Sequence, residues 1–294
     1  MFTTQVRLAD YPGVVRPMRK WRVGVDEVAP LTVQLNRIVT FPGNTKRLSA
    51  RIRGRVDRQP LAGMRASKAI GNDRLYPRWS SSRNCVLAGL RDALAEAIDD
   101  HVQPRATLLD FGCGDRPYEP LVAARGAAYL GVDLPGTPQV DRLIDQDGRI
   151  DARDCSVDVV LSTQVLEHVD EPRAYLREAH RVLQPGGILI LSTHGYWRYH
   201  PNPRDLWRWT GQGLRKQIEE GGFEVLAMRG VLNLGAGGLQ LFQDYLISRL
   251  PARFGAITAI VMQRLVGLVD QVPTRPEDYD DAVVFVIVAR RVSG

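Results

Sequence analysis

The hydrophobic pattern of the chain changes near residue 83. Over residues 1–82, short apolar pieces are broken by scattered prolines and glycines. Just beyond, apolar residues recur at steps of three and four, the spacing of one helix face: Val86, Leu87, Leu90, Leu94 and Ile98. The serines at 80–82 can cap this predicted helix. The pattern therefore predicts a partly irregular extension over 1–82 and a main domain over 83–294.

From residue 106 onward, short strands and helices alternate. Four mostly apolar runs have the pattern of strands buried on both faces of a parallel sheet: 106–112, 127–134, 157–163 and 187–194. Two more strands are predicted over 224–231 and 281–291. This alternation is typical of a doubly wound α/β domain, in which ligands bind outside the carboxyl ends of the strands.

Two helices are predicted between these strands. The first covers residues 171–183, where Asp170 can cap the amino end and the Pro-Gly-Gly at 185–187 stops the helix. The second covers residues 214–220. Both fit the crossover helices of such a domain.

A helical insertion is predicted over 233–275, before the last strand. Two helices, hinged near Pro251, each carry an apolar face: Leu239, Phe242, Leu246 and Leu250 in the first, and Ile257, Ile260, Val261, Leu265 and Leu268 in the second. These faces can pack on the domain, form a dimer or lie in a membrane interface, and packing is the first expectation. No stretch approaches the length of an uninterrupted membrane span. The oligomeric state stays open.

The basic charge of the chain is concentrated in its first part. Residues 1–83 carry 17 Lys and Arg against 5 Asp and Glu, a net charge of +12, whereas the remainder carries 22 against 28, a net charge of −6. The basic segment 46–58 can contact a nucleic-acid backbone or an anionic membrane surface, although a solvated arm is the first expectation. With the helical insertion, such an arm would supply a second membrane attachment.

Length and cysteine content narrow the class of protein. At 294 residues, of which 44% are hydrophobic, the chain can bury one substantial core. Its three cysteines lack the spacing of a disulfide scaffold or a zinc site, so no metal is predicted. The first residues lack the apolar run of a signal peptide. We expect a cytoplasmic protein, with peripheral attachment to the inner face of the membrane as the alternative.

The loop after the first predicted strand, within LLDFGCGDRPY (108–118), has the features of a ligand site. Gly112 and Gly114 let the backbone turn tightly and approach a ligand closely. No third glycine follows in the GxGxxG register, and Asp110 has the wrong charge for a diphosphate, so a nicotinamide dinucleotide is disfavoured. Asp133, at the end of the second strand, can accept both hydroxyls of a ribose. The pattern favours a nucleoside that lacks phosphates.

Four motifs in this order, LLDFGCGDRPY, YLGVDL, SVDVVLSTQVLEHV and HRVLQPGGILILSTH, resemble class I S-adenosylmethionine-dependent methyltransferases of the methyltransferase-11 type. The resemblance covers residues 83–232 and the last strand, and it implies a Rossmann-like fold. It also implies that Asp110 and the backbone of Gly112, Cys113 and Gly114 hold the amino acid end of S-adenosylmethionine, and that Asp133 binds its ribose.

The remaining cofactor contacts follow from the same resemblance. Gln164 would flank the cofactor after the third strand, and His168 would have a structural role or form a shelf beneath it. Asp147 is the first choice for the adenine edge and Asp145 the second.

An aromatic and charged segment, HGYWRYHPNPRDLWRWT (194–210), follows the fourth strand and is here called the aromatic loop. Aromatic faces stack on sugar rings, and charged heads bind hydroxyls or phosphates. The predicted acceptor-binding residues are His194, Tyr196, Trp197, Arg204, Trp207 and Arg208. His200 and Asp205 are the predicted base pair. In a packed alternative, Trp207 and Trp209 cover core, Arg208 pairs with an acidic neighbour and Thr210 caps the next helix.

The positions of HP, D, R and T in this loop resemble methyltransferases of bacterial surface polysaccharide and glycolipid synthesis. The resemblance implies methyl transfer to a hydroxyl of a sugar or glycolipid intermediate. A small aromatic or quinone-like acceptor is the first alternative, and an RNA acceptor the second, although no RNA-binding module is apparent and nucleic acid is therefore disfavoured. A cofactor-binding scaffold without turnover is the third.

Overall fold

The computed structural model describes residues 72–201, 204–272 and 280–292. Within them the helices are α1 (Asn72–Leu75), α2 (Asn84–His101), α3 (Glu119–Ala124), α4 (Pro172–Val182), α5 (Gly211–Glu220), α6 (Leu234–Ile247) and α7 (Ala252–Asp270). The strands are β1 (Thr107–Phe111), β2 (Ala128–Asp133), β3 (Arg142–Leu143), β4 (Val157–Thr163), β5 (Leu183–His194), β6 (Phe223–Val231) and β7 (Val284–Arg291). The basic segment 46–58 and the rest of the chain up to residue 71 lie outside the described residues.

The strands form one seven-stranded sheet in the order β3-β2-β1-β4-β5-β7-β6. The first five strands run parallel to their neighbours, whereas β7 pairs antiparallel with both β5 and β6. The order reverses between β1 and β4, which is the switch point where α/β sheets bind ligands. The predicted doubly wound α/β fold is confirmed.

Two apolar layers cover the sheet, and β7 shows how they divide. Val284, Val286 and Val288 belong to the layer that includes α2, α3, α6 and α7. Phe285 and Ile287 belong to the layer of α4 and α5. This alternation is expected of a strand buried on both faces, because successive side chains point to opposite sides of a sheet.

Two of the predicted N-caps are wrong. The α2 N-cap is Arg83, which makes no side-chain capping bond, and the nearby serine Ser81 instead accepts a hydrogen bond from the Arg83 backbone N–H at 3.2 Å. Glu171, not Asp170, precedes α4. That helix ends at Val182 and passes directly into β5, so the Pro-Gly-Gly at 185–187 lies within the strand. Thr210 does cap α5, since its side chain accepts from the Gly213 N–H at 3.1 Å.

The helical insertion packs with the opposite sides from those predicted. The residues of α6 and α7 that face the domain are small or polar: Ala236, Gly237, Gln240, Gln243, Gly255, Ala259 and Gln263, with Met262 and Val266 as the larger apolar members. Phe242, Ile257, Val261, Leu265 and Leu268, which were expected to pack, are exposed. Among the described residues, α7 is also long and apolar enough to cross a membrane by length and composition, contrary to the expectation of no such stretch.

Asn233 joins the two helices of the insertion to the sheet. Its side-chain oxygen accepts from the Ala236 N–H at 2.9 Å, and its amide donates to the Val269 carbonyl at 3.2 Å. We expect Asn233→Ala to lower the free energy of unfolding by about 1 to 2 kcal/mol, because a buried helix cap is lost. Urea denaturation measures this change. Asn233→Ser keeps a capping oxygen and should lose less; equal loss in both variants would contradict the capping role.

Candidate active site

A cavity of about 1310 Å³ opens at the carboxyl edge of the parallel strands. Its wall is formed by the loops after β1, β2, β4 and β5, by the turn at 145–149, and by the amino-terminal part of α2. Because parallel strands bring their following loops to the same edge, residues far apart in sequence meet here. The cavity therefore lies where the α/β pattern predicted a ligand site.

The loop after β1 is bound to the end of β2. The Asp133 carboxylate accepts from the Gly114 N–H at 2.7 Å through one oxygen and from the Leu134 N–H at 2.7 Å through the other. Gly112 has a φ of +86°, and a Cβ there would lie 2.5 Å from Val165 Cγ2. At Gly114, also with positive φ, a Cβ would meet only open space. Backbone at Gly114 is thus free to be approached from the cavity.

Two predicted cofactor residues lie behind the cavity wall. Asp110 is fully buried, accepts a hydrogen bond from the Tyr129 hydroxyl at 2.5 Å, and has its pKa raised to about 7 by burial. Cys113 is buried beside Gly131, and burial raises the pKa of its thiol to about 12. Neither residue is among those that line the cavity, and the contact of the Asp110 carboxylate with the cofactor stays a prediction.

The turn at 145–149 separates the two candidates for the adenine edge. One carboxylate oxygen of Asp145 accepts the backbone N–H groups of Asp147 and Arg149 at 2.9 and 2.8 Å. This use of Asp145 shapes the turn, and both Asp145 and Asp147 line the cavity. The adenine contact, with Asp147 as first choice and Asp145 as second, stays a prediction.

Gln164 lies at the end of β4 in an unusual conformation. Its φ is +56°, which is strained for a residue other than glycine, and its backbone N–H donates to the Ser192 carbonyl at 2.9 Å. The side chain reaches the Ser192 hydroxyl at 3.2 Å and lines the cavity. Strain held by such contacts is common at binding sites.

Three histidines and a glutamate meet where the segments after β4 and β5 approach one another. The His200 ring centroid lies 5.2 Å from that of His168 and 5.0 Å from that of His194. His194 Nδ1 lies 3.2 Å from a carboxylate oxygen of Glu167, which is buried and accepts from the Thr193 hydroxyl at 2.9 Å. Burial raises the pKa of Glu167 and lowers that of His194 to about 3, so His194 is neutral at neutral pH.

The Arg208 guanidinium holds the aromatic loop together. It donates to both carboxylate oxygens of Asp205 at 2.5 Å, to the Trp197 carbonyl at 3.0 Å and to the Arg198 carbonyl at 2.9 Å. Asp205 also accepts the His200 backbone N–H at 2.8 Å. The Arg208 hydrogen bonds lower the pKa of Asp205 to about 2. The predicted contact between Asp205 and the His200 ring is therefore replaced by a contact with the His200 backbone.

Only part of the predicted acceptor set faces the cavity. His194, Trp197 and His200 line it, as does His168. The side chains of the other members bind protein groups instead. The Tyr196 hydroxyl donates to the Leu234 carbonyl, and Arg204 pairs with Asp170. The Trp207 indole donates to the Val169 carbonyl, and Arg208 binds Asp205. Trp207 also stacks on Trp209, which packs on the core. The packed alternative was thus correct for Arg208, Trp209 and Thr210.

Sequence reasoning missed several residues of the wall. Arg83, Leu87 and Leu90 come from the start of α2, whose apolar positions look the same whether they face a core or a cavity. Arg198 and Tyr199 lie between predicted members of the aromatic loop, and only their position relative to the cavity distinguishes them.

A family model described as "Methyltransferase domain" matches residues 80–227. The chain belongs to the class I S-adenosylmethionine-dependent methyltransferases. The match begins just before α2 and ends within β6, so it contains every loop of the cavity wall. The protein is therefore an enzyme, and S-adenosylmethionine is its methyl donor.

Named relatives agree with this family. The chain is 29% identical to a "Probable S-adenosylmethionine-dependent methyltransferase" of Mycolicibacterium smegmatis, over 59% of this chain and 73% of that protein. It is 35% identical to a "Ubiquinone biosynthesis O-methyltransferase" of Pseudomonas paraeruginosa, over 30% of this chain and 44% of the relative. The match thus spans less than half of the ubiquinone enzyme. A Burkholderia thailandensis 1,6-didemethyltoxoflavin-N1-methyltransferase structure covers 70% of this chain at 18% identity and a TM-score of 0.43.

The cavity residues fit the methyl donor. Asp133 offers a carboxylate at the cavity wall for ribose hydroxyls, and the open space at Gly114 leaves room for the amino acid part. Asp147 and Gln164 would complete the set. When bound, S-adenosylmethionine supplies a methyl group made electrophilic by a sulfonium. The residues around it have to orient donor and acceptor and exclude water. The individual contacts stay predictions.

We expect Asp133→Ala to weaken binding of S-adenosylmethionine at least about tenfold, because charge-assisted hydrogen bonds to the ribose are lost. Isothermal titration calorimetry measures the dissociation constant. Asp151→Ala is the control, since it removes the same charge from an exposed carboxylate that does not line the cavity. Equal affinity in the two variants would contradict the role of Asp133.

We expect Arg208→Lys to lower the free energy of unfolding at pH 7 by about 2 kcal/mol, because lysine cannot form the bidentate pair with Asp205. The pKa of Asp205 is about 2, below the ordinary 3.8, so the pair stabilises the fold above pH 3.8 and this contribution is lost as the pH falls toward 2. The difference between wild type and variant in urea denaturation should shrink over that range. Arg215→Lys, in an exposed ion pair, should show no such effect.

Proposed function

We propose that the enzyme methylates a hydroxyl group of a sugar or glycolipid acceptor. The observation that carries this proposal is the composition of the cavity wall beyond the cofactor residues. Trp197, Tyr199 and His200 lie there together in the aromatic loop, next to Arg83 and Arg198. Aromatic rings suit the C–H faces of a sugar, and guanidinium groups suit phosphate or carboxylate substituents.

His200 is the group best placed to accept the proton of the acceptor hydroxyl. It lines the cavity, and its partial burial lowers the pKa of the His200 ring below the ordinary 6.5. The ring is therefore neutral and able to accept a proton at neutral pH. Asp205 acts as a positioning residue, because its carboxylate accepts hydrogen bonds from the His200 backbone N–H and from the Arg208 guanidinium. Neutral His194 adds no competing positive charge beside the ring.

A quinone-like or small aromatic hydroxyl is the second candidate acceptor. Val86, Leu87 and Leu90 of α2 make one side of the cavity apolar. A flat apolar ring could therefore pack against this side. The identity with ubiquinone biosynthesis O-methyltransferases over about a third of the chain supports the same alternative.

The two candidates differ in where the methyl group is found. Purified enzyme with methyl-labelled S-adenosylmethionine is incubated with a lipid extract and, separately, with a soluble extract from cells lacking the gene. Label that becomes part of an O-methyl sugar after acid hydrolysis supports the first proposal. Label in a prenylated quinone supports the second, and label in neither fraction contradicts both.

We expect His200→Gln to lower kcat/KM about 100- to 10,000-fold, which is the usual rate contribution of a general base, and to leave cofactor affinity unchanged. In the wild type, kcat/KM should be constant at neutral pH and fall tenfold per pH unit below a midpoint under 6.5, because the base must be unprotonated. The measurement is a pH profile of initial rates on the acceptor identified above.

His101→Gln, at the end of α2 and away from the cavity wall, is the matched control. A His200→Gln variant that keeps the same acid limb as wild type would exclude His200 as the base.

A further inference from the structure

The outward side of α6 and α7 carries an apolar surface, here called the insertion face. Its residues on α7 follow steps of three and four: Phe254, Ile257, Val261, Leu265 and Leu268. Phe242 and Tyr245 extend it onto α6. All are more than a third exposed, and Ile257 and Leu268 are 61% and 62% exposed. Exposed apolar side chains at helical spacing are a common feature of interaction surfaces.

The inward side of the same helices is polar, and it fixes their orientation. The Gln263 amide donates to the side-chain oxygens of Gln240 and Gln243 at 2.8 and 2.9 Å, and its own oxygen accepts the Cys85 N–H at 2.8 Å. Gln243 donates to the Ser82 carbonyl at 2.8 Å. Rotating the helices to bury the insertion face would break this network and leave buried amide groups without partners, which is unfavourable.

Charges around the insertion face are of one sign. Residues 234–272 contain two aspartates, and both are engaged with the domain: Asp244 pairs with Arg198 at 3.4 Å, and Asp270 accepts the Asn233 N–H at 2.8 Å. The three arginines of the same segment are exposed: Arg249, Arg253 and Arg264. The guanidinium groups of Arg249 and Arg253 lie 4.9 Å from the ring centres of Tyr245 and Phe254. The exposed charge is therefore positive and lies beside apolar rings.

We propose that the insertion face binds the surface of an anionic lipid membrane. Apolar side chains at helical spacing, bordered by arginines and aromatic rings, match a helix that lies in the headgroup region, with its apolar side in the acyl boundary and its cations on phosphates. Although α7 is long enough to span a bilayer, Gln263 bonds to Cys85 of α2 and Val266 belongs to the core of the domain, so lipid cannot surround the helix. The helix lies along the membrane.

This surface is joined to the acceptor side of the cavity. The Tyr196 hydroxyl of the aromatic loop donates to the Leu234 carbonyl of α6 at 3.2 Å. Arg198, which pairs with Asp244 of α6, also lines the cavity. Membrane attachment through α6 and α7 would bring the aromatic loop close to lipid-borne acceptors. Attachment itself does not depend on the acceptor chemistry proposed above, so the two can fail separately.

The test is flotation of the full chain with vesicles of phosphatidylcholine, with and without phosphatidylglycerol. Wild type should float with the anionic vesicles. Ile257→Ser combined with Leu268→Ser should bind at least about tenfold less, because two apolar side chains no longer enter the bilayer. Arg249→Gln combined with Arg253→Gln should lose about fivefold per arginine on anionic vesicles, and higher salt should weaken wild-type binding in the same way.

Val292→Ser is the matched control, since Val292 is 49% exposed and follows β7 at the opposite end of the sheet. Every variant keeps the basic residues 1–71, so equal flotation of wild type and all variants would mean that the insertion face does not bind lipid. Absence of wild-type flotation would overturn the proposal. So would sedimentation showing a wild-type dimer that the Ile257/Leu268 variant converts to monomer without any vesicle binding. Melting temperature and S-adenosylmethionine binding confirm that each variant is folded.

Discussion

The parallel pairing of β1, β2, β4 and β5 is the constraint on which the rest of the molecule depends. These strands are buried by helices on both sides, so the chain must cross over after each one and return in the same direction. Every crossover begins at the same edge. Asp133 ends β2, Gln164 directly follows β4 and His194 ends β5. All three therefore line the same cavity, although about thirty residues separate each from the next. The reversal of strand order between β1 and β4 opens a crevice there. The turn at Gly112 and Gly114 follows β1, and at Gly114 a ligand in the crevice can come close to the backbone.

The strands were predictable because burial on both faces leaves a run of apolar residues, and all six predicted strands are present. The elements that were missed are short: β3 has two residues, α1 has four and α3 has six, too few to show a hydrophobic period. The ends were less predictable than the elements. Leu183 begins β5 directly after α4, and the Pro-Gly-Gly that was expected to end the helix lies instead in a bulge of β5, between the pairs Leu183–Val157 and Ile188–Val159.

The aromatic loop shows where residue composition stops being informative. Its place above the carboxyl edge followed from the strand order, but the direction of each side chain did not. Contacts from outside and within the loop decide it. The Glu167 carbonyl accepts the N–H groups of Leu206 and Trp207, and Arg208 donates to Asp205 and to backbone carbonyls of the loop. A charged head that could bind substrate serves instead to hold His200 and Trp197 at the cavity. Sequence alone cannot separate these uses, because both need the same residue types.

The helical insertion raises the same difficulty in a different form. Hydrophobic periodicity locates a face of a helix, but it has the same period whether that face meets a protein core or a membrane. What separates the two is the chemistry of the opposite face. In a helix that buries its apolar side, the other side is charged and solvated, whereas in α6 and α7 the other side carries glutamines, glycines and alanines that are able to hydrogen-bond and pack closely. Gln240, Gln243 and Gln263 were therefore the signal in the sequence, since amides at helical spacing opposite an apolar stripe can satisfy one another in the interior. Their network fixes the apolar stripe on the outside, and the exposed arginines beside it make anionic lipid a better match than an uncharged protein surface.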